Sequence, residues 1–188
     1  MAKVKAAVFA SGSGSNFEAI MKAGELPCEI TLLVCDKPGA GAVERAKRLG
    51  VPVLELSPKQ FKDKAAYEQA LVKRLREEGI EWIFLAGYMR LIGPDLLGAY
   101  ENRILNIHPS LLPDFPGADG IGDAFRAGVN KTGVTIHYVD AGMDTGPIIK
   151  QREVDILPND TIDTLAERIH KVEHELYPEV IREVLTHK

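Results

Sequence analysis

Cysteine is nearly absent. Cys28 and Cys35 are the only two in 188 residues, too few for a disulfide-rich secreted framework and too far apart for a close-spaced metal motif. Cys35 ends the apolar run Thr31-Leu32-Leu33-Val34, and both thiols are read as reduced. A surplus of charge is missing too: the formal net charge is -4, with both signs scattered along the chain, so there is no basic stripe to hold a nucleic acid. No apolar run approaches the ~20 residues of a membrane span. Met1-Ala2-Lys3 leads into a short apolar segment without the longer apolar region and cleavage site of a signal peptide. A cytoplasmic protein that binds neither nucleic acid nor membrane is therefore expected. Internal repeats, low-complexity tracts and obvious linkers are also missing, and a 45% hydrophobic content suits one well-buried domain over residues 1–188.

What is present is alternation. Strand-like runs at 4–9, 30–35, 51–56, 82–86 and 104–107 are separated by helical patterns at 16–23, 42–49 and 65–78, which reads as βαβ units in an α/β fold. The second and third helices run into Gly50 and Gly79, where a left-handed cap is expected. Near-continuous apolar strands such as Trp82-Ile83-Phe84-Leu85-Ala86 fit a mostly parallel sheet covered on both faces by helices. In such sheets ligands lie beyond the carboxyl ends of the strands. The runs at 133–139 and 147–156 leave no room for a crossover helix between them and read as an antiparallel C-terminal pair. A last helix starts near Asn159 or Asp160, with an apolar stripe through Ile162, Leu165, Ile169, Val172, Leu176 and Val180, and Pro178 is expected to kink or interrupt it.

Several residues have the character of a site. The first strand runs into Ser11-Gly12-Ser13-Gly14-Ser15-Asn16 and then a helix, aiming backbone N–H groups and the positive helix end at an anion, with phosphate the natural ligand. The third glycine of a dinucleotide fingerprint is here Phe17. A capping box between Ser15 and Glu18 is the plain alternative. In Asn106-Ile107-His108-Pro109-Ser110-Leu111-Leu112-Pro113, strand alternation puts Asn106 and His108 on one face and Leu105 and Ile107 on the other, at the carboxyl end of the fifth strand. Taken singly, each could be a satisfied structural residue. Asp144 lies in a loop with Gly142 and Gly146, and beside His108 its carboxylate would favour the imidazolium. Glu173 is a carboxylate within the apolar stripe, explained by a cationic or amine partner or by a place on the stripe's edge. His137, with Asp140 nearby, raises a metal question, but the histidines are read as lacking zinc-ligand spacings and a structural role is favoured.

Together the turn at 12–16, Ala86-Gly87-Tyr88-Met89-Arg90-Leu91-Ile92, Asn106 to Pro113 and Asp140 to Pro147 closely resemble the formyltransferase family over essentially the whole chain, in its purine-biosynthesis branch. The resemblance implies a Rossmann-like formyltransferase fold, 10-formyltetrahydrofolate as co-substrate, glycinamide ribonucleotide (GAR) as acceptor and no metal. It implies Asn106, His108 and Asp144 as the catalytic group, with Gly14, Ser15 and Asn16 on the acceptor's phosphate and Glu173 on its glycinamide end. Met89, Arg90, Leu91, Ile92 and Asn106 would meet the folate, with Lys64 where relatives often carry arginine. Ala118 departs from the family pattern, in which many relatives carry lysine, and Asp119, Gly120 and Asp123 vary as well; acidic residues there would be unhelpful if they faced a phosphorylated substrate. Oligomeric state is left open, with a homodimer as the candidate assembly.

Four other readings compete. Formylation of methionyl-tRNA and hydrolysis of formyltetrahydrofolate share the catalytic pattern but normally come with further domains. A nucleotide-binding redox domain would use Asp36 as its ribose ligand, against which Phe17 argues. A binding protein that performs no reaction would show a vacancy at one of the catalytic positions, and none is seen.

Overall fold

Strands that are apolar on both sides can be stable only inside two layers of helix, and that is how this chain folds. The computed structural model describes residues 3–186; Met1 and Ala2, part of the leader reading, lie outside them, as do positions 187 and 188. In chain order the elements are β1 (Val4–Ala10), α1 (Ser15–Met21), β2 (Cys28–Cys35), α2 (Gly41–Leu49), β3 (Val53–Glu55), α3 (Lys64–Glu77) and β4 (Ile80–Leu85). They continue with α4 (Pro94–Ala99), β5 (Ile104–His108), α5 (Gly120–Ala127), β6 (Lys131–Tyr138), β7 (Ile148–Asp155) and α6 (Ile162–Thr186).

The strands form one sheet in the order β3-β2-β1-β4-β5-β6-β7. Pairing is parallel from β3 through β5, and β6 runs antiparallel to both β5 and β7. The order reverses between β1 and β4, the place where an open α/β sheet leaves a crevice at its carboxyl edge. Each face has its own core. Ala6, Val8 and Ala10 of β1 pack with Phe17, Ala46, Ile169 and Tyr177 from α1, α2 and α6. Ala7 and Phe9 point the other way, to Leu71, Leu75 and Leu96 from α3 and α4. No helix among the described residues is long and apolar enough to cross a membrane.

Local signals place most boundaries. Gly50 caps α2 at φ 74°, and Gly79 follows α3 at φ 71°, the left-handed conformation expected of both. Other expectations are corrected. Pro178 does not interrupt α6, because the residues on both sides of it, Leu176, Tyr177, Val180 and Ile181, are all fully buried and hold the helix against the sheet. The cap of α6 is Thr161, whose Oγ1 accepts from the Thr164 N–H at 3.1 Å, while Asp160 instead receives Arg168 Nη2 at 2.8 Å. The third strand is only Val53–Glu55, and α4 and α5 were not anticipated. The first of these has six residues behind Gly93-Pro94, and the second carries Gly120 and Gly122, which lower helix propensity.

Candidate active site

Beyond the carboxyl ends of β1, β4 and β5 lies a cleft of about 340 Å³. Its first wall is the glycine turn. Gly14, at φ 78°, begins α1 without a side-chain cap, so the capping box of Ser15 and Glu18 does not form. Glu18 is taken instead by Lys22, Arg45 and Arg48, which hold its carboxyl down at about 2, the Lys22 bond foremost. A Cβ at Gly14 would sit 2.6 Å from Ala42 Cα, so only glycine lets the turn lie against α2. The Ala42 N–H donates to the Gly12 carbonyl (2.9 Å) and Arg45 Nε to the Ser13 carbonyl (2.7 Å), which leaves the turn tied from behind and open in front.

The second wall is the segment after β4. Met89 N–H donates to Ser11 Oγ (3.0 Å), Ser11 Oγ–H to Asp36 Oδ1 (2.6 Å), and Arg90 Nε to Asp36 Oδ2 (2.6 Å). Asp36 is 2% exposed and fully engaged, so the candidate ribose ligand of a redox domain is a clamp. Phe17, in place of a third glycine, is buried in the core. Glu68, from α3, accepts from the Gly93 and Leu96 N–H groups (2.6 and 3.1 Å). Tyr88 OH lies 2.9 Å from Tyr67 OH, and burial pushes the Tyr88 phenol far up. The side chains of Met89 and Leu91 are left outward, 56% and 46% exposed.

Between the walls the polar side chains converge. Leu105 and Ile107 enter the core on the α6 side, and Asn106 and His108 face the other way, as the two-residue period requires. His108 Nε2–H donates to the Phe115 carbonyl (2.8 Å), and Nδ1 lies 3.6 Å from Asp144 Oδ2, an ion-pair distance longer than a hydrogen bond. Asp144 has φ 56°, a conformation aspartate tolerates better than most residues, and its Oδ2 accepts from the Gly117 N–H (2.8 Å). The loop that carries it is knit by Asp140, which accepts from Gly142 N–H (2.9 Å) and Thr145 Oγ1–H (2.6 Å). Gly146 has no room for a side chain, since a Cβ would fall 1.7 Å from the Tyr138 carbonyl. Asn106 Nδ2 donates to His137 Nε2 (3.3 Å) on the neighbouring strand.

Glu173 is 3% exposed and lines the same cleft. Its Oε1 receives His170 Nδ1–H (2.8 Å) and Asn16 Nδ2 (3.4 Å). The Glu173 bond pushes the His170 imidazole above its ordinary value, burial opposing it.

The cleft therefore brings together Gly14, Ser15, Asn16, Met89, Arg90, Leu91, Ile92, Asn106, His108, Asp144 and Glu173. Lys64 is not among them; it is exposed in the first turn of α3. Ala118 lines the cleft, while Asp119 and Asp123 pair outside it with Arg126 at 2.8 and 3.0 Å. Sequence reasoning missed His170, three residues before Glu173 and so one turn away on the same helix face, and it missed the contact of His137 with Asn106. It also overlooked that His170 and His174 have the four-residue spacing of a ligand pair. Among the described residues, however, no three His, Cys, Asp or Glu side chains are arranged to hold a metal ion. Cys28 and Cys35 are buried free thiols, and burial pushes that of Cys28 up to about 11.

Comparisons with known proteins show the family. The Formyl transferase family matches residues 4–181. Phosphoribosylglycinamide formyltransferase of Bacillus subtilis (strain 168) is 55% identical over 184 residues, 96% of this chain and 94% of that one. The crystal structure of glycinamide ribonucleotide transformylase 1 from Geobacillus kaustophilus superposes with a TM-score of 0.94 at 60% identity, covering 97% of this chain and 99% of that one. That of phosphoribosylglycinamide formyltransferase from Bacillus halodurans gives 0.93 at 58% identity, covering 96% and 95%. Matched from its first strand into its last helix, the chain belongs to the formyl transferase family.

Proposed function

We propose that the protein is a phosphoribosylglycinamide formyltransferase of purine biosynthesis, transferring the formyl group of 10-formyltetrahydrofolate to the amine of GAR. The family match and relatives of that name at 51–60% identity support the activity. The observation that carries the site assignment is the meeting of Asn106, His108 and Asp144 in a cleft that the 12–16 turn also lines. In this reading Gly14, Ser15 and Asn16 take the phosphate, Glu173 the glycinamide end, and Met89 to Ile92 the folate. Exposed Met89, Leu91 and Met143 at the cleft offer apolar surface to a flat ring. The chain works as one domain in the cytoplasm on these two small molecules.

The acceptor amine attacks the formyl carbon, and the carbonyl oxygen gains negative charge. Asn106 Nδ2–H and His108 donate hydrogen bonds to that oxygen. Because His108 Nε2–H is committed to the Phe115 carbonyl, Nδ1, on the Asp144 side, is the atom that exchanges a proton with substrate. As the carbon–nitrogen bond to the folate breaks, the proton lost by the amine passes by way of Asp144 and His108, or a water between them, to the leaving nitrogen.

A formyl-transfer assay with GAR and 10-formyltetrahydrofolate tests this directly. The wild type is expected to turn over, and His108→Ala to lose on the order of a hundredfold to a thousandfold in kcat. A wild type without activity would refute the reaction, and a fully active His108→Ala would refute the assignment.

A further inference from the structure

His137 has so far only a structural part. It is 2% exposed, and it stands directly opposite Asn106 in the antiparallel pairing of β5 and β6. Its Nδ1 lies 2.8 Å from the Tyr138 carbonyl. A carbonyl can only accept, so Nδ1 carries a proton. Burial pushes the imidazole below its ordinary value, with the Tyr138 bond and the Asp144 and Asp140 charges opposing and that of His108 adding to the effect. A neutral ring with Nδ1–H has a lone pair on Nε2. That lone pair faces Asn106 at 3.3 Å and can be met only by the amide's N–H edge. Asp144 Oδ1, 3.9 Å from Nε2, is beyond hydrogen-bond reach and does not compete for it.

We infer that His137 is a positioning residue for formyl transfer, its Nε2 lone pair fixing which way the Asn106 amide faces. The inference rests on the role given to Asn106 above. An amide nitrogen has two hydrogens, and His137 takes one. The other, together with Oδ1, has no protein partner among the described residues, and Asn106 lines the cleft. The Tyr138 carbonyl thus sets the tautomer, the tautomer sets the amide, and the amide presents its free N–H to the oxygen that becomes charged. A donor held in place before the reaction stabilises that charge without reorganising, whereas an amide free to flip presents its N–H only part of the time.

Two measurements test this. Nitrogen NMR of the wild-type protein reads the tautomer without any variant: a proton on Nδ1 and a bare Nε2 near neutral pH are expected, and a proton on Nε2 would overturn the inference. Kinetics of His137→Phe, Asn106→Ala and the double variant read its consequence. His137→Phe should lose about tenfold in kcat, less than the loss of the donor itself, with both KM values within about twofold. The double variant should be no slower than Asn106→Ala, because residues acting as a unit are not additive. His137→Gln, whose amide oxygen can accept from Asn106, should recover part of the lost rate. Multiplicative losses in the double variant, or a change confined to KM, would overturn the inference. A fully active Asn106→Ala would instead refute the role of Asn106, and full activity in His137→Phe beside a crippled Asn106→Ala would refute that of His137 alone.

Discussion

His170 and Glu173 show how a single contact makes part of the site responsive to pH. The His170 imidazole is half-exposed, and its hydrogen bond to the buried Glu173 carboxylate raises its pKa above the free value of 6.5. A raised pKa means that the charged form is preferred in the folded protein, so the contribution to stability is full below the unfolded-state value. It is lost as pH rises through the folded-state value. Glu173→Gln is accordingly expected to lower the His170 pKa in an NMR titration. It should also cost more stability, by urea denaturation, at about pH 5.5 than at about pH 8. An unchanged titration would show that the bond does not hold the proton. Glu173 was legible from the sequence as a carboxylate out of place in an apolar stripe, but its imidazole partner was not sought. Asn106 and His108 were legible for a firmer reason, the two-residue period that sends every second side chain of a strand to one face.

At the scale of elements, the segment from 87 to 93 has almost no regular structure and is held from behind. Ser11 takes one of its amides, Asp36 its arginine and Glu68 the amide of Gly93. Glu68 also serves as the distant cap of α4, through the Leu96 N–H. This explains why α4 escaped notice in the sequence: its capping group sits 25 residues upstream of Gly93, on another helix. Glu68→Ala would leave two amides without their acceptor, and about 1–3 kcal/mol of stability should be lost in urea denaturation. With the wall loosened, KM for the folate should rise while that for GAR stays near its wild-type value. Equal changes in both would argue against a local effect. α5 was hidden for another reason: Gly120 and Gly122 lower its propensity and outweigh the local cap that Asp119 offers, and only the fold gives it a core to pack on.

Taken whole, the molecule places the two walls of its cleft on either side of the point where strand order reverses, and one residue joins them. Ser11, at the end of β1, is 2% exposed; its hydroxyl bridges Asp36 and the Met89 amide, and its own N–H donates to the Gly87 carbonyl (3.1 Å). The same chain continues at once into the glycine turn. Ser11→Ala is therefore expected to raise KM for both substrates several-fold in steady-state assays. An effect on only one would show that the walls act independently. The amino-acid sequence by itself determined which segments become strands, the helices α1, α2, α3 and α6, where glycine ends α2 and α3, and which face of β5 is polar, because these follow from neighbours a few residues apart. Tertiary structure alone decided that Asn16 meets Glu173 across 157 residues, that His137 stands opposite Asn106, and that Lys64 is not among the residues lining the cleft. Such contacts depend on strand order and on the register between β5 and β6, which the whole core sets together and for which no local stretch of chain carries a signal.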